Sequence, residues 1–508
     1  MRNTFTRRIL LLKLFLFSLL GLFFESCGNV EKVSNKEGQI NDRPNIIYIM
    51  ADDLTTQAIT AYNNRFKDIA DTPNMDRLAT EGMLFHDVLC TNAICGPSRA
   101  AILTGDYSHR NGYYKNWEGG EFDASQWTFP QEFQEAGYAT SLFGKWHLNS
   151  EPKGFDTYKY HDHQIGGQQG VYWDPVYNEN GKKVKREGYA TNITTDFALN
   201  WLKNTEKSKK PFLMLLQFKA PHRSWVRDSI YSDLWKDRDM PYPSTFNDNY
   251  KGREKTAGDT EMEMEHLFIN TPEGMSREET KKWRYQSFIK DYLATVKSVD
   301  DNVGRVLDYL DENGLTDNTM IVLTSDQGFY LGDHGFFDKR FIYEESLRMP
   351  FIVRYPNKVR AGSESDAIIG NIDLAPTLLD IAGIETDHRT HGESFASILK
   401  GEQPEKWRNA LYYHYYEFPM WHHVQPHYGI RTDRYTLAHF YYDIDEWELY
   451  DNKKDPEQLN NIIDNQEYAD IVVKLKEDLK KLMEKYGDDK SLEEFREVSN
   501  RNFDDMSE

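Results

Sequence analysis

Four uninterrupted apolar runs, each ending in ionisable residues, constrain the fold more than any other feature of this chain. "NIIYIM" leads into Ala51-Asp52-Asp53, and "ATSLFG" leads into Lys145-Trp146-His147. "PFLMLLQF" leads into Lys219-Ala220-Pro221-His222, and "TMIVLT" into Ser325-Asp326-Gln327-Gly328. Apolar runs of this length without alternation mark strands buried on both faces of a mainly parallel sheet. Open α/β sheets bind ligands beyond the carboxyl ends of their strands. The four endings are therefore expected to converge on one crevice.

Helical stretches separate the runs. "TPNMDRLATEG" is closed by Gly82, "QWTFPQEFQEAGY" is stopped at Gly137, and a long amphipathic stretch is closed by Gly314. Residues from about 225 to 280 are polar, aromatic and rich in Asp, Lys and Pro. They read as a long insertion with little regular structure, placed over the crevice. Past residue 400 the pattern changes to aromatic, partly alternating runs: "ALYYHYYEF", "HYGIRTDRYTLAHFYY" and "EWELYDN". These suggest a small antiparallel sheet, followed by an amphipathic closing helix. The expected organisation is an α/β catalytic domain over 44–400 and a C-terminal subdomain of antiparallel sheet and helix over 401–508.

The start of the chain reads as a targeting segment. Arg2, Arg7 and Arg8 precede the apolar stretch "ILLLKLFLFSLLGLFF", which is short for a spanning helix. "FESC" then ends at Cys27 in the manner of a bacterial lipoprotein cleavage box, although Phe24 stands where Leu is usual. Residues 1–27 are expected to be a lipoprotein-type signal peptide, with a lipid anchor at Cys27, and 28–43 a polar tether. The protein is expected to be exported, to the periplasm or as an outer-membrane-anchored lipoprotein. A formal net charge of -21 argues against general nucleic-acid binding.

Only three cysteines occur in 508 residues. With Cys27 lipidated, Cys90 and Cys95 remain, and no disulfide framework exists. Cys95 opens "CGPSRAAILTG", which reads as a helix start with Pro97 in the first turn and a stop at Gly105. A helix N-terminus favours an anion. Yet Asp52, Asp53 and Asp326 would repel a thiolate unless a cation sat among them. Such an oxygen-rich cluster suits Ca²⁺ or Mg²⁺ better than a soft-metal site. Cys95 is thus poorly placed as a thiolate and well placed if converted to an oxygen nucleophile.

The segment "CGPSRAAILTG" resembles the Cys-X-Pro-Ser-Arg signature of type I sulfatases. The resemblance extends over "RPNIIYIMADD", "TPNMDRLATEGMLF", "GYATSLFGKWH", "APH", "SDQGFYLGDHGFFDKR", "MPFIVRYP" and "WELYDNKKDPEQLNN". It implies an alkaline-phosphatase-like fold, and oxidation of Cys95 to formylglycine (3-oxoalanine) by a formylglycine-generating maturation enzyme. It further implies Ca²⁺ held by Asp52, Asp53, Asp326 and Gln327 together with the modified Cys95. Arg99 and Lys145 would hold the formylglycine hydrate and the sulfate. Asp326 would take the attacking hydroxyl's proton. His222 and Lys339 would face the leaving alcohol, with His222 the general acid, and His147 would take the second hydroxyl's proton to expel sulfate. A second hydroxyl is what serine lacks.

The substrate is less constrained. "GGQQGVYWDP", "NGKKVKREGYATNITTDFALNWL" and the His- and aromatic-rich "YYHYYEFPMWHHVQPHYGIR" are similar to bacterial sulfatases acting on 6-O-sulfated N-acetylglucosamine of mucin or glycosaminoglycan fragments. His427 and Arg431 are the expected sugar contacts. Another sugar or position, such as galactose 6-sulfate or an algal polysaccharide, stays open. So do a phosphatase or phosphonate hydrolase of the same superfamily and a non-catalytic glycan-binding lipoprotein.

Overall fold

The strand Asn45–Ala51 shows why its run is apolar without a break. Ile46, Tyr48 and Met50 enter one core, and Ile47, Ile49 and Ala51 enter another on the opposite face of the sheet. Phe212–Phe218 divides in the same way. Period-two alternation is invisible in such strands because both faces are buried. The structure is a computed structural model that describes residues 43–116, 122–162, 169–205, 209–419 and 422–500. The expected signal peptide and all of the tether except Arg43 lie outside the described residues.

An 11-stranded sheet organises the chain. Its centre runs in the order Thr319–Thr324, Asn45–Ala51, Phe212–Phe218, Ala139–Gly144, Thr157–His161, every pair parallel. The four runs singled out above are thus immediate neighbours. Their register also fixes where they end. Ala51 pairs with Phe218, Met50 with Thr324, and Gly144 with Gln217. Asp52, Lys219, Lys145 and Asp326 consequently leave the sheet along one edge, within a residue or so of each other. Antiparallel strands extend both sides: Arg348–Arg354 beyond Thr319–Thr324, and the pair Val176–Glu179 and Lys182–Lys185 beyond Thr157–His161.

The long helix spans Arg277–Glu312. It begins at Ser276, whose side chain accepts from the Glu279 amide while the Glu279 carboxylate accepts from Ser276 N, a reciprocal cap. The expected insertion over 225–280 has little regular structure before that helix begins at Arg277, only the short 3₁₀ turns Ser229–Tyr231 and Met264–His266. It is nonetheless fixed by the buried side chains Met240, Phe246, Met262 and Met264.

The C-terminal sheet is antiparallel in chain order: Ala410–Tyr415, His427–Thr432, Tyr435–Phe440, Glu446–Asp451. Leu475 and Leu479 of the helix Ala469–Tyr486 join Tyr412, Ile430 and Leu437 in a third core. Ala101, on the helix that begins at Cys95, belongs to the same core. The small sheet therefore packs behind the Cys95 helix, and the described residues from Pro44 onward form one compact unit.

Candidate active site

Cys95 is the first residue of the helix Cys95–Thr104, and all ten residues of that helix are buried. Gly105 ends it in the left-handed region at φ 69°, and its N–H is bonded to Ala101 O. Gly96 is required by space: a Cβ there would lie 2.4 Å from a ring carbon of Tyr113. Its N–H donates to Asn116 Oδ1 at 2.9 Å. Burial first, and then Asp52, push the Cys95 thiol up to about 12. It is a neutral thiol at pH 7.

Asp52, Asp53 and Asp326 each present a carboxylate oxygen within 4.8 Å of the others, and all three are buried. Three cations face them. Lys145 Nζ bonds Asp52, Arg99 Nε donates to Asp326 Oδ2 at 2.9 Å, and Lys339 Nζ lies 2.7 and 2.9 Å from the two Asp53 oxygens. Arg99 also donates to Lys145 O and Gln217 Oε1, so the helix and two strand ends are tied together. The carboxylates respond differently to this setting. Burial, the largest influence, opposes ionisation of Asp52, but Lys145, Arg99 and a hydrogen bond with Asp326 together outweigh it and the net shift is downward. At Asp326, burial and the nearby Asp52 raise the pKa.

These residues fit a hard cation. Asp52 Oδ1 and Gln327 Oε1 are buried oxygens with no hydrogen-bond partner, and Gln327 Nε2 reaches Asp53 and Cys95 Sγ. Buried oxygens without donors are costly unless something positive meets them. Three carboxylates and an amide oxygen with no nitrogen ligand are a donor set for Ca²⁺ or Mg²⁺. Asp53 adopts φ 64° and its N–H donates to Asp326 Oδ1, which turns its side chain toward the group.

Two histidines complete the cluster. His222 Nε2 lies 3.7 Å from Asp53 Oδ2. His147 is buried with Nδ1 unpartnered. Burial, and then Lys145, hold both imidazoles well below the usual histidine range, so both are neutral at pH 7.

His427 and Arg431 do not join this group. His427 is fully buried, stacked on Phe440, with Nε2 accepting from Ile342 N and Nδ1 donating to Gln425 O. Arg431 is paired with Glu344 and Asp87. Both belong to the seam between the C-terminal sheet and the segment following Lys339. Their expected role as sugar contacts is corrected accordingly. No donor is left over on His427, and Arg431 is held by two carboxylates.

A second buried charge cluster adjoins Lys339 and was not anticipated. Asp338 meets Arg223, Arg340 Nη1 at 2.6 Å, and His422 Nε2 at 3.1 Å. Arg340 Nη2 lies 3.6 Å from Glu417 Oε1. Asp338 and Arg340 both have positive φ, 80° and 102°, a strained conformation of the kind found at ligand sites. The cluster's signal in the sequence is the charged triplet Asp338-Lys339-Arg340.

A sheet of this topology, with these groups at the carboxyl ends of its strands, defines a hydrolase of the sulfatase family. The chain belongs to that family: the sulfatase family model matches residues 44–384, and the N-sulphoglucosamine sulphohydrolase C-terminal model matches 332–485. It is a sulfuric ester hydrolase. The chain is 44% identical to an N-acetylglucosamine-6-O-sulfatase of Bacteroides thetaiotaomicron, over 93% of this chain and 91% of that one. It superposes with TM-score 0.84 and 44% identity on a solved structure described as a complex with its substrate D-glucosamine-2-N,6-O-disulfate, covering 89% of this chain and 99% of the other. The phosphonate monoester hydrolase of Agrobacterium radiobacter shares the fold, with TM-score 0.70 and 22% identity over 87% of this chain and 96% of the other. The architecture is thus alkaline-phosphatase-like, as expected.

Proposed function

We propose that this sulfatase removes the 6-O-sulfate of N-acetylglucosamine or related glucosamine units in mucin or glycosaminoglycan fragments. The observation that carries the reading is the contiguity of two buried charge clusters at Lys339. One has the groups for cleaving a sulfate ester, and the other gathers Arg223, Arg340 and His422 around Asp338, charged and polar groups suited to a sugar. The 44% identical relative is named for this substrate.

Formylglycine formed from Cys95 would supply a hydrated aldehyde as nucleophile, and Ca²⁺ held by Asp52, Asp53, Asp326 and Gln327 would draw charge from the sulfate oxygens. The remaining work falls to the chain's own side chains. Arg99, Lys145 and Lys339 offset the anionic sulfate. Asp326, held by Arg99, accepts the proton of the attacking hydroxyl; its raised pKa suits an acceptor. With the anionic ester bound, His222 takes a second proton from solvent at Nε2 and delivers it to the departing sugar oxygen, returning to the neutral form. Its Nδ1 lies 3.0 Å from Arg223 O, which can only accept, so that nitrogen carries hydrogen. Neutral His147 stands ready to take a proton as sulfate is released.

The sugar-reading assignment has a direct test. Asp338→Asn leaves Arg223 and Arg340 without their shared carboxylate. An unsatisfied buried polar group costs about 1–3 kcal/mol. Its kcat/KM on N-acetylglucosamine 6-sulfate is therefore expected to fall about 10- to 100-fold further than on a small aryl sulfate. Equal losses on both would assign the cluster to the core chemistry, and no loss on either would remove it from the site.

A further inference from the structure

Lys219 is a buried lysine, its amine pushed down to about 7 first by burial and then by Lys145, that none of the steps above uses. It leaves the sheet beside Asp52, and among the described residues no carboxylate lies within ion-pair distance of it. Its one hydrogen bond runs from Nζ to Arg223 O at 2.9 Å, and its Nζ lies 4.9 Å from the centre of the Tyr172 ring. Burying an ammonium without a counter-charge is costly. A loop that needed only a donor at this point would be served by an amide.

What the lysine holds is specific. Arg223 O also accepts from His222 Nδ1 at 3.0 Å, so one carbonyl binds the lysine and the imidazole together. The backbone closes the same turn, since His222 N donates to Lys219 O at 3.0 Å. Tyr172 OH bonds the neighbouring carbonyl, His222 O. The successive carbonyls of His222 and Arg223 are thus both held by side chains. The side chain of Arg223 meanwhile reaches Asp338. Five consecutive residues therefore contain the lysine clamp, the leaving-group histidine and a member of the sugar cluster.

We propose that Lys219 is a positioning residue for leaving-group protonation: by sharing the Arg223 carbonyl with His222 it fixes the imidazole with Nδ1 bonded and Nε2 turned to the reacting ester. The inference rests on the role given to His222 above. Without the lysine the carbonyl keeps only the imidazole, and the ring and carbonyl can move together. A misplacement of about 1 Å in a reacting group can cost about 100-fold.

The test is a double-mutant cycle on two substrates. Lys219→Met, His222→Ala and the double variant are assayed on N-acetylglucosamine 6-sulfate, whose leaving alkoxide needs a proton, and on p-nitrophenyl sulfate, whose phenolate leaves without one. Lys219→Met is expected to lower kcat on the sugar sulfate about 10- to 100-fold more than on the aryl sulfate, with KM within about threefold of the parent's. The double variant is expected to be no more than about threefold worse on the sugar sulfate than His222→Ala alone, since the lysine acts through the histidine. Additive losses, equal losses on both substrates, or no loss would each overturn the inference. If His222→Ala itself shows no preference for the sugar sulfate, the assignment of His222 falls first, and the two failures are told apart. Lys219→Gln, smaller and still a donor, takes the place of Lys219→Met in the cycle if the methionine variant does not fold, and it is held to the same non-additivity.

Discussion

Cys95→Ser is expected to abolish turnover while leaving the fold intact. The two side chains are nearly the same size, and Cys95 is packed at the start of a wholly buried helix, so stability should change little. The chemistry should not survive. A serine offers one hydroxyl, which can attack sulfur once but has no second hydroxyl whose deprotonation expels the sulfate. An unmodified thiol fares no better, because burial and Asp52 push it up to about 12. A drop in kcat of at least about 10⁴-fold is expected, the scale seen when a nucleophile is removed. Peptide mass spectrometry of the parent should show Cys95 without its sulfur, and that of the serine variant should show sulfate trapped on the serine. Steady turnover by Cys95→Ser, or full activity with the Cys95 thiol intact, would contradict this account of the nucleophile.

Removal of calcium is expected to have an effect of similar size. Asp52, Asp53 and Asp326 are mutually within 4.8 Å, and Lys145, Arg99 and Lys339 already occupy one side of each. Adding an anionic sulfate ester to such a group without a metal is unfavourable. Exhaustive chelation should reduce hydrolysis to background, and calcium should restore it. The same titration has a readout independent of activity. A ligand that binds only the folded state stabilises it by about 2.7 kcal/mol at 100 times its Kd, so the melting temperature of stripped protein should rise with added calcium. Full activity in metal-free protein, or a melting temperature indifferent to calcium, would count against the site.

Much of this arrangement was legible in the sequence, and the reason is physical. The central strands are buried on both faces, so their apolar runs stand out without any need to find a period. Parallel register then brings their ends together, and Asp52, Lys145, Lys219 and Asp326 are where the runs stop. Cys95 was legible as the start of a helix that Gly105 stops, and the role of Arg99 only through the resemblance to the sulfatase signature. The sugar side was not legible in the same way. In "PMWHHVQPHYGIR" the choice among His422, His423 and His427 depends on which way each ring turns. His427 starts a strand and faces the core, stacked on Phe440, whereas His422 sits in the preceding turn and reaches Asp338. Arg431 is one strand residue from the end of the same run and is claimed by Glu344, nearly ninety positions away in the chain. Composition signals a ligand-binding segment but cannot assign its side chains to faces. Nor does it show that Asp338 would gather Arg223, Arg340 and His422 from three separate segments.

The most direct test of the proposed function is sulfate release from defined sugars by protein in which Cys95 has been converted. N-acetylglucosamine 6-sulfate and glucosamine 2-N,6-O-disulfate are compared with N-acetylglucosamine 3-sulfate, galactose 6-sulfate and N-acetylgalactosamine 4-sulfate. The account predicts release from the 6-position of the glucosamine sugars with kcat/KM at least about 100-fold above every other member, the discrimination expected when a buried polar site is left unpaired by the wrong sugar. In the disulfate, the 2-N-sulfate should remain. Faster release from galactose 6-sulfate, or from a 3- or 4-sulfate, would contradict it.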